Sequence, residues 1–539
     1  MTPSTPEIRV QDLNHCGIIA GIIDELGLVA EIDELIGIHG NQKVTTGQVV
    51  KAMIINGMGM ITSPLYLFAK FFEGKATEHL LGEGILPAHL NNDCLGRALD
   101  KLYAAGVTKV FITLALKAAN QMGVEIKSLH LDSSSFHVDG KYLEEETAEA
   151  KPGKITLTKG YSRDHRPDLK QFIIDLMCSG DGDVPLYLRV ADGNEPDQRV
   201  FAKLIQNFRQ EWNIDALFVA DAALYSAENI QQLQSLRWLS RAPSTIKEAQ
   251  NLLALPNELF VSSSREGYKI AEVGSYYAGI KQRWLVVESA QRRESDLRKI
   301  ENRLKQKLAQ AQSQLKALCR REFACEPDAQ TAVQLLANQF PLFQIDNLTI
   351  IEQVHYVRPG RPSQNQKPHQ SHYCIEANLI QNPEAIATAR QKAGRFVLAT
   401  NVLDYEQFSN SELLIEYKAQ QSTERGFRFL KDPLFFTSSI FLKSPQRITA
   451  LAMVMGLSLL VYSLGQRALR LALAQAQQTI PNQLGKPTAS PTLPWVFQCF
   501  MSVHLLTIGD LKQITNLTSE RFHILQFLGS SCRKYYLLN

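Results

Sequence analysis

The chain has 539 residues, 45% of them hydrophobic and 21% charged, which is long enough for several structural units and too apolar for a disordered polymer. Lys plus Arg number 57 against 54 acids, a formal net charge of +3, so any surface for a polyanion must come from local segregation of charge and not from bulk basicity. The 8 cysteines are scattered without a C-x-x-C pair, which argues against a zinc site and a disulfide framework and for a reducing compartment, the cytoplasm. The first residues lack a basic stretch followed by an apolar run and do not read as a secretory signal.

Residues 15–125 carry apolar side chains at a spacing near 3.6, which predicts a mostly helical region, with Thr45 or Thr46 as an N-cap. From residue 126 the texture changes to short apolar runs, IKSLHLD (126–132), KQFIIDLMC (170–178) and VPLYLRV (184–190). The last two are joined by Gly180, Asp181, Gly182 and Asp183 and read as a hairpin. A helix over 198–208, a strand over 216–221, a helix opening at Ser226 and a strand over 237–243 follow. Three strands, helix, strand, helix, strand is the order of a ribonuclease H-like α/β core.

Between 244 and 410 strand-like pieces surround a polar helical segment, residues 288–322, with ten basic and five acidic side chains. A solvated helical hairpin and a DNA-facing arm both suit that charge pattern. Residues 356–373 are rich in Pro, Gln and Ser and read as an exposed loop, after which a helix is expected over about 411–430. Residues 448–466 are 19 uncharged residues between Arg447 and Arg467, close to the minimum for a membrane span. Gly456, Ser458, Ser463 and the helical continuation beyond them favour a buried helix, so no membrane is expected. The expected fold class is α/β: a ribonuclease H-like core with a mainly β insertion and a helical N-terminal domain. Its parts are an accessory domain at 1–125, a candidate for binding DNA, core at 126–243, insertion at 244–410, core helices at 411–475, and a loop and helical tail at 476–539.

The acids that stand out end apolar runs, because a charge there either emerges beside a site or is buried at a cost of several kcal/mol. Asp132 follows IKSLHL and Asp221 follows ALFVA; in a core of this order the first strand lies beside the fourth, bringing both acids within reach of one ion. Asp139, Asp181, Asp183 and Asp192 occupy turns and read as partners of backbone groups. His130 and His137 read as packed strand residues, and Trp238 and Trp284 as core, with stacking on an unpaired base the lesser reading. No G-x-x-x-x-G-K-[ST] loop is present, which argues against ATP-driven work.

Residues 417–431, YKAQQSTERGFRFLK, place Tyr417, Glu424 and Lys431 seven apart. This stretch resembles the DDE transposases of bacterial insertion sequences, the group with the signature Y-(2)-R-(3)-E-(6)-K and a long insertion before the glutamate. Gln420 stands where the signature has arginine, and Arg425 and Arg428 on the same helix are candidates to compensate. On one helix, positions 417, 420, 424 and 431 would share a face. The blocks SLHLDSSSFHVDG, KGYSRDHRPDLKQ, ADGNEPD, FVADAALYS, RFVLATN and FLKSPQRITALAMV resemble further landmarks of the group.

The resemblance implies a catalytic and metal-holding triad of Asp132, Asp221 and Glu424, separated by 89 and 203 residues. It implies two Mg²⁺ or Mn²⁺ ions, with Tyr417, Lys431, Arg425 and Arg428 binding DNA. The expected activity is cleavage at the element's ends and strand transfer to target DNA, by a homodimer on terminal inverted repeats and target, in the cytoplasm at the nucleoid. The physical logic stands beside the name: paired hard cations activate a nucleophilic oxygen and stabilise a leaving one, and carboxylates suit them. A nuclease of the same fold without strand transfer, and a transposase-derived DNA-binding protein without catalysis, remain the rival readings.

Overall fold

The computed structural model describes residues 8–38, 40, 42–60, 67–138, 154–161, 166–355, 370–432, 442 and 444–538. Asp139, part of the block at 159–171, most of the loop at 356–373, and Phe441 and Lys443 of the block at 441–454 lie outside them. The chain forms two compact units, one of residues 1–240 and 414–539, the other of Arg241–Leu413.

The first unit opens with strand β1 (Ile8–Asp12), which the sequence reading lacked. Helices follow: α1 (Cys16–Glu25), α2 (Leu28–Ile36), α3 (Thr46–Gly57), α4 (Phe68–Phe72), α5 (Thr77–Leu81), α6 (Asn92–Ala104) and α7 (Val107–Gln121). Thr45 does cap α3, in a reciprocal box with Gln48 that satisfies two otherwise orphaned amides. Then come β2 (Ser128–Val138), β3 (Lys170–Ser179), β4 (Pro185–Asp192), α8 (Asp197–Trp212), β5 (Leu217–Ala220), α9 (Ala227–Gln232) and β6 (Trp238–Arg241). The strands are ordered β4-β3-β2-β5-β6. β3 is antiparallel to β2 and β4 to β3, whereas β5 is parallel to β2 and β6 to β5. β2 runs six residues beyond Asp132, because Ser133, Ser134 and Ser135 stay paired to β3 and buried, so Asp132 lies within the strand and not at its end.

The second unit contains α10 (Lys247–Leu252), β7 (Val261–Ser262), β8 (Tyr268–Tyr277), β9 (Ile280–Ser289), α11 (Ala290–Cys319), α12 (Glu326–Gln339), β10 (Phe343–His355), β11 (Gln370–Gln381), α13 (Pro383–Lys392) and β12 (Arg395–Thr400). Strands β12-β9-β8-β7 pair antiparallel, and β10-β11 form a separate hairpin. The basic segment is not a hairpin of its own: it is the single 30-residue helix α11, whose Leu304, Ala311 and Leu315 pack on Leu336, Phe340, Phe343 and Ile386. One apolar stripe therefore holds it to α12 and the hairpin, while its charges face water.

The chain returns to the first unit through α14 (Asn410–Ala419), α15 (Gln421–Lys431) and α16 (Pro445–Gln475). The apolar run at 448–466 lies within α16, the one helix among the described residues long and apolar enough to cross a membrane; 94% of its most apolar window is buried inside the protein. Neighbours α1, α3, α6, α7, α15 and β4 surround it, which is the way a helix that is apolar on all sides is satisfied. The tail comprises β13 (Ile480–Pro481), β14 (Pro487–Thr488), α17 (Leu493–Cys499), β15 (His504–Ile508), β16 (Leu511–Thr515), α18 (Ser519–Gln526) and α19 (Ser530–Tyr536). The tail is thus more than loop and helix: β15 pairs with β1, and α19 packs on α1. Tyr536 donates its hydroxyl to the Asn14 carbonyl at 2.6 Å and accepts from the Ile18 amide at 3.1 Å. Gly21 permits this docking, since a Cβ there would lie 2.3 Å from the Cys532 Cα.

Candidate active site on two adjacent parallel strands

β5 is four buried residues, Leu217–Ala220, pinned between β2 and β6. Its last register partner is Leu131 against Ala220, so continuing each chain by one residue sets Asp132 and Asp221 side by side. Neighbouring strands lie about 4.8 Å apart, and in a parallel register the two side chains leave on the same face. Both residues are half-buried. Asp132 Oδ1 accepts from the Ser133 amide at 2.8 Å, and Asp221 Oδ1 from the Ala223 amide at 2.8 Å, which starts the turn out of β5. The Ser240 hydroxyl donates to the Asp221 carbonyl at 2.7 Å and ties that turn to β6.

The face of β2 that carries Asp132 is the face covered by α14 and α15. Alternation puts Ser128, His130, Asp132 and Phe136 on one side. Ser128 donates to the Glu416 carboxylate on α14, His130 Nε2 lies 3.8 Å from the same group, and Phe136 meets Phe427 of α15 at 6.4 Å between ring centroids. The Lys431 ammonium stands 5.2 Å from the Phe136 ring centre. Burial at the floor of this layer lowers the His130 pKa to about 4, so the imidazole is neutral there. The helices therefore run alongside β2 in the same direction. Eight strand residues cover about 26 Å and fifteen helical residues about 22 Å, so interpolation brings residue 424 level with Asp132.

Helical phase gives the lateral position. Ser422, Thr423, Gly426, Phe427 and Leu430 are buried and span roughly 140° of α15. Glu424 and Lys431 fall within roughly 20° of each other just past the Phe427 edge, and Arg425 lies past the opposite edge. Lys431 reaches Phe136 on β2, whereas Arg425 makes a two-pronged ion pair, 2.7 Å on each arm, with Asp183 in the β3–β4 turn. The hydrogen bonds Arg425 donates to the Asp183 carboxylate raise its pKa above the ordinary value. With the order β4-β3-β2-β5, the Glu424 flank leans toward the two aspartates.

Not every expected residue joins this edge. Arg425 is turned away and occupied by Asp183, Arg428 is exposed, and Tyr417 is half-buried on α14. The single helix expected over 411–430 is divided at Gln420 into α14 and α15, with the Gln420 backbone itself in the α-helical region. The interruption is local: the Gln420 amide bonds to the Tyr417 carbonyl three residues back, and the Thr423 hydroxyl takes the Gln420 carbonyl at 2.9 Å. Among the turn acids, Asp181 accepts from the Glu125 amide and pairs with Arg467, and Asp192 accepts from the Thr156 amide. Trp238 and Trp284 are fully buried.

One group the sequence reading missed is Asp175, an acid in the middle of an apolar strand and 1% exposed. It accepts from the Ser133 hydroxyl at 2.5 Å and from Arg189 at 2.9 Å, and Arg189 also grips Glu195. The network locks β2, β3 and β4 together immediately beside Asp132, beneath a cavity of about 300 Å³ lined by Ser133, Ser134, Tyr161 and Glu195. A mid-strand acid in KQFIIDLMC was the available signal.

Three carboxylates offer the hard oxygen donors that Mg²⁺ and Mn²⁺ take. As the chain is folded here, no three ligating side chains among the described residues stand close enough to enclose an ion. Sheet register sets Asp132 and Asp221 side by side, and Glu424 is exposed on the flank of α15.

These features define an α/β protein with two acids set side by side where a parallel strand pairing ends. The transposase DDE domain family matches residues 129–462, more than half of the chain, and the protein belongs to that family, enzymes that act on DNA by transposition. Residues 8–116 match a domain of unknown function (DUF4277). No curated protein matches the chain. Among solved structures, the piggyBac transposase synaptic complex with hairpin DNA, determined by cryo-electron microscopy, is similar at 10% identity over 96% of this chain and 80% of that one, with a TM-score of 0.36.

Proposed function

We propose that this transposase is an insertion-sequence enzyme of the bacterial group with the Y-(2)-R-(3)-E-(6)-K signature, built on a ribonuclease H-like core. It cuts at the element's ends and joins the freed 3′-hydroxyls to target DNA. The observation that carries the reading is the adjacency of Asp132 and Asp221 where the parallel pairing of β2 and β5 ends, with Glu424 on the flank of the covering helix that leans toward them. Asp132, Asp221 and Glu424 would hold two Mg²⁺ or Mn²⁺ ions. Such ions, when bound, activate the attacking oxygen and stabilise the leaving one. The chain's own part is to fix two carboxylates by strand register, to bring the third from a helix, and to offer Lys431 on that same helix edge as a point charge for a phosphate of the DNA backbone. The DNA ends and target would be held by a homodimer in the cytoplasm.

Glu424→Gln tests this. It keeps the helix and its shape but removes a charge needed for a divalent cation, so Mg²⁺-dependent nicking of an end-bearing duplex should fall by orders of magnitude while gel-shift affinity for that duplex survives. Full nicking by Glu424→Gln sinks the triad. Joined products in the same reaction distinguish strand transfer from simple hydrolysis. Gln420, at the signature's arginine position, favours the rival of a DNA-binding protein without catalysis, and absence of nicking by the wild-type chain would select it.

A further inference from the structure

The helical N-terminal region contains a cavity of about 570 Å³ between the segment leading into α3 and one face of α6. Lys43, Arg97 and Lys101 line it together with Gln42, Asn91 and Cys94, and no carboxylate among the described residues does. Arg97 and Lys101 sit four apart on α6, so two like charges share a helix face. The Lys101 ammonium nitrogen is shielded from solvent and has no hydrogen-bond partner, and the Gln42 side-chain oxygen is equally buried and unpartnered. Burial raises the Cys94 thiol pKa while Arg97 and Lys101 pull it down, which places both cations around the same space. A desolvated ammonium with no counter-charge among the described lining residues is costly, and an oxyanion in the cavity would take charge-assisted hydrogen bonds from all three cations.

We propose that this cavity is a phosphate site, and that its ligand is a backbone phosphate of the DNA on which the transposase acts. Lys101 forms the floor. Lys43 and Arg97 are exposed at the mouth, where a long polyanion can reach them without entering entirely. Lys101 offers three donors as a point charge and Arg97 a planar fork, a complement matched to the non-bridging oxygens of a phosphodiester. The assignment of DNA as the source rests on the proposed function; the phosphate chemistry does not.

The test uses the full chain. Binding of a short fluorescent duplex is followed by anisotropy at several salt concentrations for wild type, Lys101→Met and Arg97→Gln, and the thermal midpoint of each is measured with and without inorganic pyrophosphate. Loss of one phosphate contact should lower the slope of log affinity against log salt by about one for each variant and weaken binding several-fold at low salt. The ligand-free midpoint of Lys101→Met should be no lower than wild type, because the removed charge has no partner to lose. An unchanged salt slope, with a pyrophosphate stabilisation that Lys101→Met abolishes, would overturn DNA as the source and assign the cavity to a free phosphorylated molecule. Absence of both the slope change and the pyrophosphate stabilisation would overturn the phosphate site. Nicking by wild-type and Glu424→Gln protein reports on the catalytic reading independently, so failure of one proposal is not mistaken for failure of the other.

Discussion

Gly426 lets α15 lie close against β3 and α16, and replacing it by alanine measures how much that closeness matters to the proposed role of Glu424. A Cβ at 426 would sit 3.0 Å from Leu176 Cδ2 on β3 and 3.1 Å from Leu459 Cδ2 on α16, where carbon pairs prefer about 3.5–4.0 Å. Both leucines are buried, so relief requires their tips to rotate in a packed layer or α15 to shift by about half an ångström. Overpacking of this kind costs about 1–3 kcal/mol. Alanine in place of glycine inside a helix returns about 1 kcal/mol, leaving a net loss of about 0–2 kcal/mol. Stability is therefore a weak reporter and catalysis a strong one: a misplacement on the order of 1 Å can cost about a hundredfold in rate, so half that shift should cost about tenfold. Gly426→Val, bulkier still, should lose more than Gly426→Ala in the same assay. Urea denaturation and Mg²⁺-dependent nicking measured on the same preparations separate the two effects. Wild-type nicking by Gly426→Ala at an unchanged midpoint would refute the idea that close packing of α15 sets the position of Glu424.

The docked tail gives a second prediction. Gly21→Ala drives a methyl group against the Cys532 backbone, which cannot rotate away, so the thermal midpoint should fall and limited proteolysis should reach α19 first; an unchanged digestion pattern would deny that α19 depends on this contact. The third concerns pH. Burial lowers the His15 pKa from 6.5 to about 4, with its ring stacked on Phe497 at 4.7 Å. Because the folded value lies below the unfolded one, stability is full above pH 6.5, declines between 6.5 and about 4 as only the unfolded chain gains the proton, and is flat below that. The loss amounts to about 3 kcal/mol across the window. His15→Gln should flatten this part of the stability profile, and a wild-type slope in that variant would place the titration elsewhere.

The sheet was legible because its information is local: apolar runs bounded by Gly, Asp and Pro mark β3 to β6, and the Gly180–Asp183 turn fixes the β3–β4 pairing. Where a local signal competed with a tertiary one, the tertiary one won. The serine run after Asp132 has turn chemistry, yet it stays in β2 because Ser133 finds Asp175 across the strand pair and the sheet covers its neighbours. The β1–β15 pairing joins Ile8 to Ile508, a partnership that periodicity in either segment cannot express. For the insertion, the change of texture at 244 and 410 can be set beside a second compact unit of Arg241–Leu413, but the charge count of α11 said nothing about which face was apolar enough to bind α12.

The candidate site divides along the same line. A seven-residue spacing brings Glu424 and Lys431 to one flank of α15, since seven residues fall only about 20° short of two turns. That relation survives any placement of the helix and so could be taken from sequence. Arg425, one residue from Glu424, lies roughly 100° around the helix, and its role depends on what stands on that side. In the fold it meets Asp183, 242 positions away in sequence, and its charge is spent on the β3–β4 turn. Arg428, at the exposed crest between the two flanks, keeps its guanidinium toward solvent. On the proposed reading, in which Arg425 and Arg428 are the candidates to compensate for Gln420, Arg428 comes before Arg425, because Arg425 must first break a two-pronged ion pair to reach a phosphate, whereas Arg428 is exposed.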